Sequence, residues 1–386
     1  MSLTEGAVYI DSPIPAAVRQ VAPFYSKGVF SNSRTPMLLR KRIGTGFGLL
    51  APSRIGSVEV RSVDGSVAKK LPVRKNGAIF YPFNGQGNLH TVANRSYRHV
   101  LVLHGESNKR ASARPAARLY DYICVAGPIA VHRYLDAGIF RHDEVENGRV
   151  LMTGDTFIQD MSNCRISPES GDHILYAPTW EGYGGQLNDY STIRSFGFQA
   201  LREALEMTGR RKVVIRPHPY LGLLQPSMIR EFHSGVVDLA KRYSVRIDLS
   251  DANVLVRTSF MAMGLSGKGD IGRTTGQEEV ALCLCDVSAM ESICLKENLP
   301  HFVLLRNFDP PGRISSFYAE KSAADLGQFR SRFPGYWNDP SSVDAPHRRE
   351  TFDVSDPGFH NPDHSQRLSS MLDRFSKNEY WRSAAH

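Results

Sequence analysis

The spacing of apolar and polar positions changes character near residue 75 of the 386-residue chain. Beyond it, short runs rich in Val, Ile, Leu and Tyr alternate with stretches whose apolar residues recur at three- and four-residue spacing. The short runs have strand length, and the spaced stretches carry the period of an amphipathic helix. The pattern predicts strands over 78–83, 99–103, 122–125 and 150–152, then over 174–177, 212–215, 245–247, 280–285 and 301–305. Helices are predicted over 129–137, 193–207 and 228–242. Such alternation is the signature of parallel sheet with crossover helices. The expected class is therefore α/β, with two Rossmann-like doubly wound domains facing each other across a cleft.

Polar turn residues (Ser162, Asn163, Ser167, Pro168, Ser170, Gly171) place the domain boundary near residue 160. An N-terminal, acceptor-side domain is expected over 1–160, a donor-nucleotide domain over 161–310 and a C-terminal tail over 311–386, ending in an amphipathic helix over 365–375. Within 1–75, Pro, Ser and Gly are scattered and only 57–63 alternates, which reads as an irregular or β-rich lead-in. No internal repeat is evident.

Composition narrows the class. An apolar fraction of 41% and a charged fraction of 22% are those of a globular protein. No uninterrupted apolar run reaches membrane-spanning length, and no leader pattern opens the chain, so a cytoplasmic protein is expected. The five cysteines (Cys124, Cys164, Cys283, Cys285, Cys294) form no C-x-x-C pair and read as reduced core thiols. The net charge of +8 is uneven: residues 1–110 hold 16 Lys and Arg against 5 Asp and Glu, a surplus of 11, so the remainder sums to −3. Arg40-Lys41-Arg42, Lys69-Lys70 and Arg74-Lys75 suit an anionic membrane surface or polymer, or a plain solvated face. Nucleic acid is not an expected partner, because no aromatic-basic recognition module accompanies the charge.

In open α/β sheets, ligands bind beyond the carboxyl ends of strands, and four such places carry chemistry. At Arg216-Pro217-His218-Pro219 two prolines fix the backbone around an imidazole, and Arg216 adds a fork suited to phosphate oxygens. His104-Gly105 follows an apolar strand with Glu106 and Lys109 close behind, and a neutral imidazole there is suited to take a proton from a hydroxyl. At Asp286-Val287-Ser288-Ala289 a strand gives way to a helix predicted over 288–296, whose amides and Ser288 hydroxyl form either a phosphate cradle or an ordinary N-cap. Thr179-Trp180 follows the 174–177 run, with Thr179 a further hydroxyl donor. Gly267-Lys268-Gly269-Asp270-Ile271-Gly272 matches G-x-G-x-x-G but follows no clear strand and opens no helix, so it is read as a loop. No Walker A, H-E-x-x-H or D-x-D pattern occurs. Catalysis without metal or cofactor is expected.

Taken in order, these elements resemble the CDP-glycerol glycerophosphotransferase family, the teichoic-acid primases and polymerases of GT-B fold. The resemblance covers roughly residues 78–305. The family's His-Gly-Thr-Pro-type element reads here His104-Gly105-Glu106-Ser107-Asn108-Lys109. Its Tyr-Ala-Pro-Thr-Trp run is Tyr176-Ala177-Pro178-Thr179-Trp180, its Arg-x-His-Pro element is Arg216-Pro217-His218-Pro219, and its Asp-Tyr-Ser-Ser element is Asp286-Val287-Ser288-Ala289, with Pro300 beyond the helix. The resemblance implies a CDP-glycerol or similar donor and a lipid-linked or polymeric glycan acceptor at the inner membrane surface. It implies that His104 deprotonates the acceptor hydroxyl and that His218 binds or protonates donor phosphate. Arg216, Thr179, Asp286, Ser288 and Ala289 would hold the diphosphate, and Gly105, Glu106 and Lys109 would lie on the acceptor side. Glu106-Ser107-Asn108 replaces Thr-Pro-Leu, and Val287 and Ala289 replace Tyr and Ser, which points toward a capsule or surface-glycan acceptor. Two other readings remain: a GT-B glycosyltransferase that releases a nucleoside diphosphate, with Glu291 on the donor ribose, and a non-catalytic nucleotide- or anionic-polymer-binding protein.

Overall fold

The computed structural model describes residues 3–11, 16–40, 53–63, 71–109, 112–182, 189–262, 270–354 and 359–377. They divide into two compact units, one drawn from 1–106, 113–159 and 350–386, the other from 107–112 and 160–349. Among the described residues, no helix is long and apolar enough to cross a membrane.

The first unit is built on β1 (Thr4–Ile10), β2 (Met37–Arg40), β3 (Arg54–Ile55), β4 (Val58–Val63), β5 (Val73–Tyr81), β6 (Arg98–Leu101), β7 (Tyr122–Val125) and β8 (Val150–Met152). They form one sheet in the order β3-β4-β2-β1-β5-β6-β7-β8. Every adjacent pair is parallel except β3 with β4. Helices α1 (Ala16–Ser26), α2 (Leu89–Val92), α3 (Pro128–Asp136) and α4 (His142–Glu146) interleave with the strands, and the unit closes with the terminal helix. Alternation along β1 buries both faces: Val8 and Ile10 join one core with Phe24, Phe30 and Phe80, while Ala7 and Tyr9 join another with Ile79 and Tyr81.

The second unit carries β9 (Arg165–Ile166), β10 (His173–Ala177), β11 (Lys212–Ile215), β12 (Ser244–Ile247), β13 (Ile271–Arg273), β14 (Glu279–Asp286), β15 (His301–Leu304) and β16 (Ser322–Ala323). All pairs are parallel, in the order β13-β12-β11-β10-β14-β15-β16, with β9 beside the start of β14. Its helices are α5 (Gly197–Thr208), α6 (Ser227–Leu239), α7 (Val254–Ala262), α8 (Met290–Glu297), α9 (Gly312–Lys321), α10 (Leu326–Asn338) and α11 (Pro340–Phe352). Gly209, at φ +69°, ends α5 in the left-handed conformation that glycine adopts without strain. The helix that closes the first unit is α12 (His364–Lys377), which buries Leu368, Met371, Leu372 and Phe375 in the core beside β5.

Of two expectations for the chain ends, the β-rich alternative for residues 1–75 holds and the C-terminal tail is corrected. The supposed lead-in supplies β1 through β4 and α1 to the first sheet, because the Ala7–Ile10 run is short but buried on both faces. The supposed tail is mostly helix, and α10 seats Phe329, Phe333 and Tyr336 around Phe302 with ring centroids 5.2–5.6 Å apart. Pro334 and Pro346 lie inside α10 and α11, which is why the segment read as loop. Of the G-x-G-x-x-G match, Ile271 and Gly272 open the edge strand β13, and Gly267–Gly269 lies outside the described residues. Lys41, Arg42, Lys69 and Lys70 also lie outside them. Part of the remaining basic charge is neutralised internally, since Arg34 pairs with Glu5 at 2.7 Å and Arg40 with Asp11 at 2.7 Å. Cys124, Cys283, Cys285 and Cys294 are buried free thiols and Cys164 is half-buried.

Candidate functional site

Each sheet has one place where neighbouring strands lead to connections running in opposite directions, the position at which open α/β sheets bind ligands beyond the carboxyl ends of their strands. In the first sheet the place lies between β1 and β5, and in the second between β10 and β14.

Asp11 follows β1, Pro82-Phe83 follows β5, and His104 stands in the loop after β6. The His104 ring lies against Phe83 at 4.4 Å between centroids, and its Nδ1 is 2.9 Å from the Pro82 carbonyl. A carbonyl only accepts, so Nδ1 carries the proton and Nε2 keeps its lone pair. Burial, opposed by that hydrogen bond, lowers the His104 pKa and keeps the ring neutral near pH 7. Leu103 has φ +60° and Gly105 φ +145°, so the imidazole stands between two residues of sparsely populated backbone conformation. Glu106 is committed to structure: one oxygen accepts from the Ala126 amide at 2.9 Å and the other from Arg133 at 2.8 Å. Asp11, not anticipated from sequence, is buried and paired with Arg40, and a Cβ on Gly87 would fall 1.9 Å from its carboxylate. The signal was an Asp directly after an apolar run.

In the second unit, Asp286 at the end of β14 stitches two loops together. Its carboxylate accepts from the Thr179 amide at 2.8 Å, the Thr192 amide at 3.2 Å and the Thr192 hydroxyl at 2.5 Å. Complete burial outweighs those bonds and nearby Lys109, and raises the Asp286 pKa to about 7. The Ser288 hydroxyl accepts from the Met290 amide at 3.3 Å as α8 begins, with Ala289 at its N-cap. Arg216 is bonded within the unit: it reaches Asp248 at 2.8 Å, Met161 Sδ at 3.2 Å and the Ser162 carbonyl. Burial would raise Asp248, but Arg216 and Ser250 outweigh it and hold the carboxyl below its usual range.

His218 follows the opposite pattern from His104. Its Nδ1 accepts from the Tyr220 amide at 3.1 Å, so the neutral ring carries its proton on Nε2. The ring stacks on Trp180 at 5.8 Å and 13°, with Tyr220 4.8 Å from Trp180. Glu181, unremarked in the sequence, holds this loop in place: its buried carboxylate accepts from the Gly222, Leu224 and Gln225 amides at 2.9–3.0 Å.

Two residues lie away from where the sequence put them. Lys109 packs in the second unit, its Nζ donating to the Thr179 hydroxyl at 2.7 Å. Glu291 is buried against Tyr318 and Asn108, with Lys321 at 3.7 Å and His347 at 3.9 Å. Glu291, His301 and His347 each offer a ligand atom within 4.8 Å of the others, a spacing open to a metal ion. The Lys321 ammonium occupies that space instead, 2.6 Å from His301 Nε2 and 3.1 Å from Asp344. An ammonium there disfavours a second cation.

Burial and Lys321 lower the pKa of His301, and burial, Lys321 and His301 take His347 well below 6.5. The unfolded chain then binds protons that the folded one refuses, so stability is lost as pH falls below about 6.5. Between pH 7.5 and 5.5 both histidines are expected to lower the stability, His347 the more strongly. Urea denaturation at the two pH values measures this, and His347→Phe, chosen because the ring stacks on Phe317 at 4.6 Å, should show a smaller pH effect than wild type. Equal pH effects in both proteins would refute the assignment.

The fold is similar to that of S. aureus MnaA in its co-structure with UDP, at 11% identity over 98% of this chain and 97% of that one, with a TM-score of 0.52. It also matches the UDP-forming α,α-trehalose-phosphate synthase of Burkholderia vietnamiensis (10% identity, 98% and 100% of the chains, TM-score 0.48) and the trehalose 6-phosphate synthase of Burkholderia multivorans (12%, 100% and 98%, 0.49). No family model matches the chain, and no curated protein matches it in sequence. The MnaA likeness and the two parallel, eight-stranded sheets define a GT-B-type α/β fold.

Proposed function

We propose that the chain is a transferase that moves glycerol phosphate, or a related polyol or sugar phosphate, from a CDP-linked donor to a hydroxyl of a lipid-linked or polymeric glycan acceptor. The observation that carries this reading is the opposite protonation of the two histidines. His104 presents an unprotonated Nε2 and His218 a protonated one, each following from a backbone hydrogen bond at Nδ1. Transfer needs one group of each kind. The acceptor hydroxyl gives its proton to His104 Nε2 as its oxygen attacks the phosphorus next to the polyol, the P–O bond to CMP breaks, and His218 Nε2–H donates to the departing phosphate. Thr179, Ser288, Ala289 and the first amides of α8 are assigned to the donor diphosphate. Arg216 acts indirectly, by anchoring the strand end that carries His218. The basic residues of the first 75 are assigned to an anionic membrane surface.

A second reading, a nucleotide-sugar enzyme that breaks the sugar–phosphate bond, is favoured by the fold shared with MnaA, whose co-structure contains UDP. Chromatography of nucleotide products separates the two. The protein is incubated with CDP-glycerol, CDP-ribitol or UDP-sugars and a lipid-linked acceptor extract. CMP from a CDP-polyol is the expected product; UDP from a UDP-sugar would overturn phosphotransfer in favour of the second reading.

A further inference from the structure

We infer that Lys109 is a donor-phosphate contact of the second unit, held there by Asn108, and that it supplies the positive charge which a divalent cation would otherwise bring to a bound nucleoside diphosphate. The inference rests on the nucleotide-donor reading above and deepens it.

Four observations carry it. First, residues 107–112 pack with the second unit although the strand before them, β6, belongs to the first. Second, the segment is clamped at one side chain: Asn108 Nδ2 donates to Glu291 Oε2 at 3.1 Å and to the Tyr318 hydroxyl at 3.2 Å, and Tyr318 itself donates to Glu291. Glu291 is thus a positioning residue and not a ribose contact. Third, the clamp leaves Lys109 at the carboxyl ends of β10 and β14, its ammonium bonded to Thr179 Oγ1 and lying 5.4 Å from the Tyr190 ring.

Fourth, that ammonium has no counter-ion among the described residues. Among the described residues no carboxylate lies within 4 Å of it. The nearest candidates are committed elsewhere: Asp286 accepts from Thr179 and Thr192, and Asp189 accepts from the Ser191 amide and faces Arg306 at 3.4 Å. A lysine has three N–H donors, and among the described residues this one spends a single donor. A partly buried charge without a partner is costly, and an anionic ligand relieves that cost. A compact ammonium suits phosphate oxygens as a point charge. Consistent with an unmet charge, burial lowers the Lys109 pKa to about 8 against the pull of Asp286 and Asp189.

The test is calorimetric binding of CDP, UDP and cytidine to the full chain, with and without Lys109→Met, Lys109→Arg and Asn108→Ala. Lys109→Met is expected to weaken CDP at least tenfold while leaving cytidine within twofold, and Asn108→Ala to weaken CDP several-fold through the lost clamp. Above pH 7.5 the CDP phosphates are fully ionised, so wild-type affinity should fall toward pH 9.5 as Lys109 loses its proton. Lys109→Arg should flatten that fall. Asp286, Asp189 and Tyr190 also face the site, and because both proteins retain them the difference between the two profiles isolates residue 109. Equal CDP affinity in Lys109→Met, or identical pH profiles for wild type and Lys109→Arg, would overturn the inference and leave the nucleotide reading standing. Failure of wild type to bind either CDP or UDP would overturn the nucleotide reading itself. Should Lys109→Met not fold, the charge-retaining arginine profile still decides the matter.

Discussion

Replacing His104 with asparagine is expected to lower turnover about 10²- to 10⁴-fold, the usual contribution of a general base, while donor affinity stays within twofold of wild type. Asparagine is the informative substitution because its amide can still donate to the Pro82 carbonyl, as Nδ1 does at 2.9 Å, yet it offers no basic nitrogen. Thermal denaturation should therefore change little. The pH profile adds an independent arm. Burial keeps the His104 pKa below 6.5, and the neutral form is the active one, so kcat/KM should rise with pH through a midpoint below 6.5 and be level by neutrality. Asparagine should erase that limb. Unaltered turnover in His104→Asn would remove the base from the proposed mechanism, and a large loss of CDP binding would move His104 to the donor.

The sheets were legible where their apolar runs were long enough to be buried on both faces, as in 280–285 and 174–177, because a parallel strand between helix layers admits little else. They were illegible at β1 and β2, where only four and three apolar residues stand in a row among prolines and glycines, and in α10 and α11, where an internal proline conceals a packed helix. The candidate site shows a similar division. Strand-end position singled out His104, His218, Thr179 and Asp286 as candidates, since strand ends can be read from one sequence. The partners that fix their chemistry were out of reach. Nothing local announces that Asp248 takes Arg216, that Glu181 gathers three amides of the His218 loop, or that Lys109 packs with Thr179 70 residues away. Those pairings depend on which loops the sheet order brings side by side.

Arg216 shows why the pairing matters for interpreting variants. As a phosphate ligand it would be expected to leave folding untouched when removed, and to weaken donor binding only. The structure instead gives it a buried carboxylate partner: Asp248 has 2% of its side chain exposed and Arg216 16%. Removing the guanidinium strands the Asp248 charge, a change that typically costs 3–5 kcal/mol. The Ser250 amide and hydroxyl remain on Asp248 at 3.1 and 2.6 Å, so Arg216→Ala is expected near the lower end, about 3 kcal/mol by urea denaturation. Protonating or neutralising the orphan should recover part of the loss. Arg216→Ala should thus be less destabilised relative to wild type at pH 4.5 than at pH 7.5, because wild-type Asp248 is held ionised by Arg216 whereas the orphan can take up a proton as pH falls. The double variant Arg216→Ala/Asp248→Asn should be more stable than Arg216→Ala alone, and the coupling energy from the cycle measures the pair directly. If Arg216→Ala instead folds as stably as wild type and loses only CDP affinity, the guanidinium belongs to the donor after all. A loss of both in the single variant, with folding but not CDP binding restored in the double, would mean that Arg216 serves the strand end and the ligand together.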